Sequence, residues 1–104
     1  NKKNTWAETL TVEELKKNIH AYHIIDVREP EEYTLDHIPG ATNIPLGRLI
    51  RDESQGIVPK DRLVVIHCKS GLRGSIAVDF LHKRGYTNTK NLDGGFSAWK
   101  HTCS

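Results

Sequence analysis

The spacing of apolar positions along this chain switches repeatedly between helical and extended periods. In "LTVEELKKNI" (Leu10–Ile19), Leu15 and Ile19 stand at i, i+4, and Thr11 with Glu14 three residues on forms a capping-box signature, so a helix is expected. "AYHIIDV" (Ala21–Val27) is a short β-branched run and reads as a strand. In "REPEEYTLDHI", Pro30 suits the first position of a helix, and Glu31 and Glu32 fall in its first turn, where carboxylates meet the positive end of the helix dipole. "HIPGATNIPL" (His37–Leu46) gives a Pro-Gly turn and a brief extended stretch, "LGRLIRD" a short helix, and "SQGIVPKD" a loop. "RLVVIHC" (Arg62–Cys68) is the most apolar strand, and its unbroken run predicts burial on both faces, as in a parallel sheet. "RGSIAVDFLHKRG" (Arg73–Gly85) is the clearest helix: Ile76, Ala77, Phe80 and Leu81 are expected to share its buried face, Asp79 to pair with Lys83, and Gly85 to close it. "TNTKNLD" (Thr87–Asp93) reads as a last strand, followed by a Gly-Gly turn and a short helix over "FSAWKH". Strands alternating with helices define an α/β class with a mainly parallel sheet.

Composition narrows the picture. The 104 residues suit one compact domain, spanning 1–104 with its core at about residues 6–100. With 37% hydrophobic and 27% charged residues, the chain has the make-up of a folded domain rather than a disordered one. A net charge of +2 without a basic cluster argues against a nucleic-acid partner. The longest apolar run, "LVVI" (Leu63–Ile66), is far too short to cross a membrane, and no signal peptide is visible. The two cysteines, Cys68 and Cys103, form no CxxC pair and no disulfide framework, so a reducing, cytoplasmic setting is expected. Lacking methionine and beginning at Asn1, the chain is expected to be a processed or excised part of a longer product.

The candidate chemistry lies where the apolar strand meets the clearest helix. Ligands of open parallel sheets bind beyond the carboxyl ends of the strands, and Cys68 stands at that end. The following helix turns its first N–H groups and positive dipole end toward the loop. Gly71 and Gly74 allow the loop to curl into an anion cradle, while Arg73 and Lys69 add cations. Such surroundings favour a thiolate and an activated nucleophile. A lone cysteine at a strand end is commonly a small buried hydrophobe. The two glycines and the arginine within six residues of Cys68 favour the reactive role instead.

The stretch "CKSGLR" resembles the active-site loop of the rhodanese family, Cys-x-x-Gly-x-Arg. "IIDVREPEEY" (Ile24–Tyr33), "HIPGATNIPL" and "LDGGFSAW" (Leu92–Trp99) resemble that family's other motifs, in the same order, over about Trp6 to Trp99. The resemblance implies a five-stranded sheet flanked by helices on both faces and a sulfurtransferase. In that reading Cys68 takes a sulfane sulfur from a donor such as thiosulfate, polysulfide or a persulfide, and passes it to cyanide or to a thiol such as glutathione or thioredoxin. Lys69, Ser70, Gly71, Leu72 and Arg73 would form the binding loop, with Arg73 and Lys69 receiving a small anionic donor. No metal or organic cofactor is implied.

Two other classes compete. Phosphatases and arsenate reductases of the same fold place five residues between Cys and Arg; the four here (Lys69–Leu72) make a smaller ring, better suited to one sulfur atom. A catalytically silent binding module is the other alternative, against which the retained cysteine argues. Asp26 and Arg28 are expected to tether neighbouring loops, His37 to shape a turn, and Trp99 to anchor packing. His67 should face away from Cys68, because neighbouring strand residues point to opposite faces. His67, Cys68 and Cys103 match no usual zinc spacing. Cys103 reads as a tail thiol rather than as a partner for Cys68.

Overall fold

A computed structural model describes residues 9–103, except for the side chain of Cys103. The expectation for the Cys103 thiol, and the start of the resemblance near Trp6, lie outside the described residues. Five strands form one sheet: β1 (Thr9–Leu10), β2 (Tyr22–Asp26), β3 (Thr42–Asn43), β4 (Leu63–His67) and β5 (Thr89–Leu92), in the order β1-β5-β4-β2-β3. Every pairing is parallel. The helices are α1 (Val12–Lys17), α2 (Pro30–Leu35), α3 (Leu46–Asp52), α4 (Leu72–Lys83) and α5 (Gly95–Cys103), with single 3-10 turns at Ile19–Ala21 and Glu53–Gln55.

The sheet is buried on both sides. Val64, Val65 and Ile66 of β4 are all inaccessible to solvent, as the unbroken apolar run predicts. Alternate residues then serve different cores. Ile25, Val64 and Ile66 pack with Leu49 of α3 and with Ala77, Val78 and Leu81 of α4. Ile24, Val65 and Leu92 pack with Val12 and Leu15 of α1 and with Trp99 of α5.

Local chemistry sets the helix boundaries. The Thr11 hydroxyl accepts from the Glu14 N–H at 3.1 Å, and the Glu14 carboxylate accepts from the Thr11 N–H at 2.9 Å, closing the expected capping box. Those hydrogen bonds hold the Glu14 carboxyl below its ordinary range. Pro30 opens α2, and the Glu29 N–H ahead of it donates to Glu32 Oε1 at 2.9 Å. In α4 the Asp79–Lys83 pair forms at 3.1 Å, and Gly85, just past the last turn, takes a left-handed φ of 93°.

Two expectations need correction. Ile76 is 45% exposed and leaves the buried face of α4 to Gly74, Ala77, Val78 and Leu81. Val78, 3% exposed, takes the core-facing place and packs with Ile25, Ile66 and Leu49 in the same cluster. Strand β1 has no counterpart in the sequence reading: its two residues carry too little pattern, and pairing with Asn91 and Leu92 makes them a strand. Among the described residues, no helix is long and apolar enough to cross a membrane.

Candidate active site

Cys68 follows β4 directly, and its side chain points into the core shared by α3 and α4, where it is 1% exposed. Two backbone donors are aimed at its sulfur. The Gly71 N–H lies 3.1 Å from Sγ and the Gly74 N–H 3.2 Å. Of the loop expected from the sequence, Gly71 therefore reaches the sulfur. The second donor, Gly74, lies one residue beyond the proposed binding loop and was absent from that set. Gly71 adopts φ of 119°, a conformation L side chains rarely take, and so caps α4 while turning its own N–H inward. Lys69 and Ser70 are exposed, and the Leu72 side chain, 70% exposed, projects into solvent at the mouth.

The loop is held from below. The Phe96 N–H donates to the Cys68 carbonyl at 2.7 Å, and the Ser97 N–H to the Lys69 carbonyl at 2.9 Å. Peptide planes are rigid and trans, so drawing these carbonyls onto the start of α5 turns the N–H groups of Lys69 and Ser70 the opposite way. Gly95 makes this approach possible: a Cβ there would stand 2.6 Å from the Cys68 carbonyl oxygen and 2.8 Å from that of Lys69. Asn91 of β5 donates from Nδ2 to the Gly71 carbonyl at 3.1 Å. Its Oδ1 is buried without a hydrogen-bond partner and occupies the space beside Gly74. Asn91 was not singled out in the sequence; a polar residue within an otherwise short, half-apolar strand is the signal that could have found it.

On the opposite face of the sheet lies a buried polar brace. Arg28 grips Asp26 through Nε at 3.0 Å and Nη2 at 2.8 Å, with both residues nearly inaccessible. Arg28 Nη2 also donates to the Asp36 carbonyl at 2.7 Å, and the guanidinium lies 4.3 Å over the Phe96 ring. The Asn43 amide donates to the Asp26 and Arg28 carbonyls at 2.9 and 3.0 Å. This is the tether expected of Asp26 and Arg28. His67 sits on the same face, opposite the thiol as expected, with Nε2 3.7 Å from Asp26 Oδ2 and Nδ1 3.3 Å from the Cys68 carbonyl. Burial pushes the imidazole down, against the upward pull of the Asp26 carboxylate, and keeps it neutral near pH 7. His37 stacks on Tyr33 at 3.8 Å, and Trp99 is a packing residue, 8% exposed.

Arg73 is paired with a carboxylate of α2. Its Nη1 and Nη2 atoms bond Glu32 Oε1 and Oε2 at 2.8 and 3.2 Å. Hydrogen bonding from Arg73 holds the Glu32 carboxyl down at about 2. Glu32 escaped notice because it precedes Arg73 by 41 residues.

Cys68 thus stands at the tip of a parallel strand, in a four-residue turn (Cys68–Gly71) onto a helix. A family model for the rhodanese-like domain matches residues 11–102. The chain belongs to the rhodanese-like family. It is 39% identical over 92 residues to the uncharacterized protein YqhL of Bacillus subtilis, a match spanning 88% of this chain and 71% of that one. It is 38% identical over 76 residues to the probable adenylyltransferase/sulfurtransferase MoeZ of Mycobacterium tuberculosis, covering 73% of this chain but only 19% of that larger protein. Among solved structures, a human single-domain sulfurtransferase superposes with a TM-score of 0.81 at 28% identity, covering 93% of this chain and 98% of that one. The rhodanese-like motifs seen in the sequence thus coincide with the fold: "CKSGLR" builds the sulfur pocket, "IIDVREPEEY" the brace and Glu32, and "LDGGFSAW" the support beneath the loop.

Proposed function

We propose that this domain is a sulfurtransferase that carries a sulfane sulfur as a persulfide on Cys68. The observation that carries the reading is the pair of backbone N–H groups aimed at Sγ, 3.1 and 3.2 Å away, inside a loop with four residues between Cys68 and Arg73. Two donors stabilise an anionic sulfur, and preorganised backbone groups do so without reorganising during the reaction. In the first half-reaction the Cys68 thiolate attacks the outer sulfur of a donor. The new Cys–S–S⁻ persulfide forms as the donor's S–S bond breaks, and thiosulfate would leave as sulfite. In the second, an acceptor thiolate or cyanide takes the outer sulfur and returns the Cys68 thiolate.

Thiosulfate, polysulfide and persulfides are the donor classes this chemistry admits, with glutathione or thioredoxin as thiol acceptors. The transfer requires no metal or organic cofactor, and a reducing compartment such as the cytoplasm suits its acceptors. The likeness to proteins described as sulfurtransferases supports the same reading.

Intact-mass spectrometry after incubation with a panel of these donors tests it. The expected result is a gain of one sulfur that cyanide removes and that Cys68→Ser does not acquire. No adduct with any donor, or efficient hydrolysis of aryl phosphates, would overturn the assignment.

A further inference from the structure

His67 is fully buried, and the sulfur-transfer chemistry described above does not use it. A neutral imidazole carries one donor and one acceptor, and burying either without a partner is unfavourable. Here only one ring nitrogen has a partner. Nδ1 lies 3.3 Å from the Cys68 carbonyl oxygen, a long hydrogen bond. Nε2 lies 3.7 Å from Asp26 Oδ2, too far for a hydrogen bond, and is buried with no other partner. A leucine at this place would fill a similar volume without leaving a polar atom unpaired. What the imidazole adds is the bond to Cys68.

The surroundings decide where the single proton of the neutral ring sits. Both oxygens of Asp26 are already filled. Oδ1 accepts from the Arg28 N–H at 2.9 Å and from Nε at 3.0 Å, and Oδ2 from Nε at 3.1 Å and Nη2 at 2.8 Å. The Arg28 guanidinium and His37, on the loop before β3, are the other charged or titratable groups acting on the ring. The Phe96 ring of α5 stacks on it with centroids 6.2 Å apart. Among the described residues, the Cys68 carbonyl is thus the acceptor within reach, and the proton belongs on Nδ1. The same carbonyl accepts the Phe96 N–H at 2.7 Å, so both of its lone pairs are engaged.

The ring lies on the sheet face opposite the thiol, yet the group it bonds belongs to the same rigid peptide as the Lys69 N–H at the start of the cysteine loop. We propose that His67 is a positioning residue for the sulfur pocket: as the Nδ1–H tautomer it donates to the Cys68 carbonyl and, together with the Phe96 N–H, fixes the Cys68–Lys69 peptide from which the loop departs. Gly71 and Gly74, whose N–H groups address Sγ, follow that peptide directly, so its orientation sets where the cradle begins. A carbonyl that accepts two hydrogen bonds also polarises its peptide and makes the Lys69 N–H a stronger donor. The consequence for persulfide formation rests on the sulfur-transfer reading above; the tautomer and the bond to Cys68 do not.

Two measurements test this. Long-range nitrogen–proton NMR correlation on the parent protein near neutral pH reads the tautomer directly. The proton is expected on Nδ1; a proton on Nε2 overturns the inference. The second measurement uses stereochemically matched variants. The amide of an asparagine stands where Nδ1 stands and that of a glutamine where Nε2 stands, so His67→Asn keeps the donor to the Cys68 carbonyl, His67→Gln moves it away and His67→Leu removes it. Single-turnover persulfide formation with thiosulfate should slow about three- to tenfold in His67→Leu and His67→Gln, the range expected for one hydrogen bond, and His67→Asn should recover most of the parent rate. Circular dichroism verifies the fold of each variant, and the Asn–Gln comparison decides if His67→Leu unfolds. Parent-like rates in all variants overturn the inference. So does a His67→Asn protein as slow as His67→Gln, which would mean that the ring serves packing alone. Failure of every donor to charge Cys68 in the parent would instead remove the sulfur-transfer reading, with the tautomer still deciding whether His67 holds the Cys68 carbonyl.

Discussion

His67 and Cys68 are neighbours in the chain, yet they belong to opposite faces of the sheet and to different kinds of environment. On the Cys68 side the sulfur is surrounded by apolar side chains and addressed by backbone N–H groups. On the His67 side, Asp26, Arg28 and His67 form a buried cluster of charged and polar side chains. The contrast separates two tasks. Ionised side chains brace the loops, while the Cys68 sulfur is addressed by groups whose positions the backbone fixes. Side-chain charges placed directly on the sulfur would add strength but also rotamer freedom; peptide N–H groups have almost none.

The comparison can be broken first at Asp26. Asp26→Ala leaves Arg28 buried without its carboxylate and is expected to cost about 3–5 kcal/mol in urea unfolding. The rate of persulfide formation per folded molecule should hold, because no group that bonds Sγ is altered. A large rate loss with little change in stability would erase the division between the faces. A smaller and opposite pattern is expected at Asn91. Asn91→Ala removes one hydrogen bond to the Gly71 carbonyl, worth about 1 kcal/mol, together with an acceptor that has no partner. Its main effect should be on the loop, slowing persulfide formation about tenfold while the unfolding midpoint moves little. Equal rates in Asn91→Ala and the parent would show that α5 alone holds the cradle.

The smallest effects concern pH. The His67 imidazole is pushed down by burial, so the unfolded chain binds a proton that the folded one refuses. Stability should therefore decline as pH falls below 6.5, the ordinary value for histidine. Glu32, held at about 2 against an ordinary 4.5, contributes stability that is fully present above 4.5 and is lost as pH falls toward 2. Unfolding midpoints across pH should show both limbs. His67→Gln should shrink the first and Glu32→Gln the second, leaving the parts that His23, Glu14 and Asp36, whose groups are also held down, contribute; a limb of unchanged size in its variant would reassign the titrating group.

The elements legible in the sequence were those whose signal is local. The apolar run of β4, the Thr11–Glu14 box and Pro30 at the start of α2 each state their structure within a few residues, and the sites follow from them. Cys68 could be placed at a strand tip for the same reason. The rest depends on contacts between distant residues. Ile76 and Val78 are both apolar and lie two positions apart in α4, so spacing alone does not decide which one faces the sheet. The partner of Arg73 lies on α2, and the support for Gly71 comes from β5. Gly74 is legible as a residue that lets the loop curl into a cradle, but linear spacing does not tell which N–H groups of that cradle reach Sγ.

The bonds from Phe96 and Ser97 to the Cys68 and Lys69 carbonyls have a consequence for the order in which the protein is made. The thiol is synthesised at position 68, but the residues that shape its surroundings arrive with Asn91 and the first turn of α5. A chain emerging from the ribosome thus carries a cysteine well before it carries a site. The final helix works as a completion check: a molecule truncated ahead of Gly95 retains the Cys68 thiol and lacks the helix that holds the carbonyls of its loop.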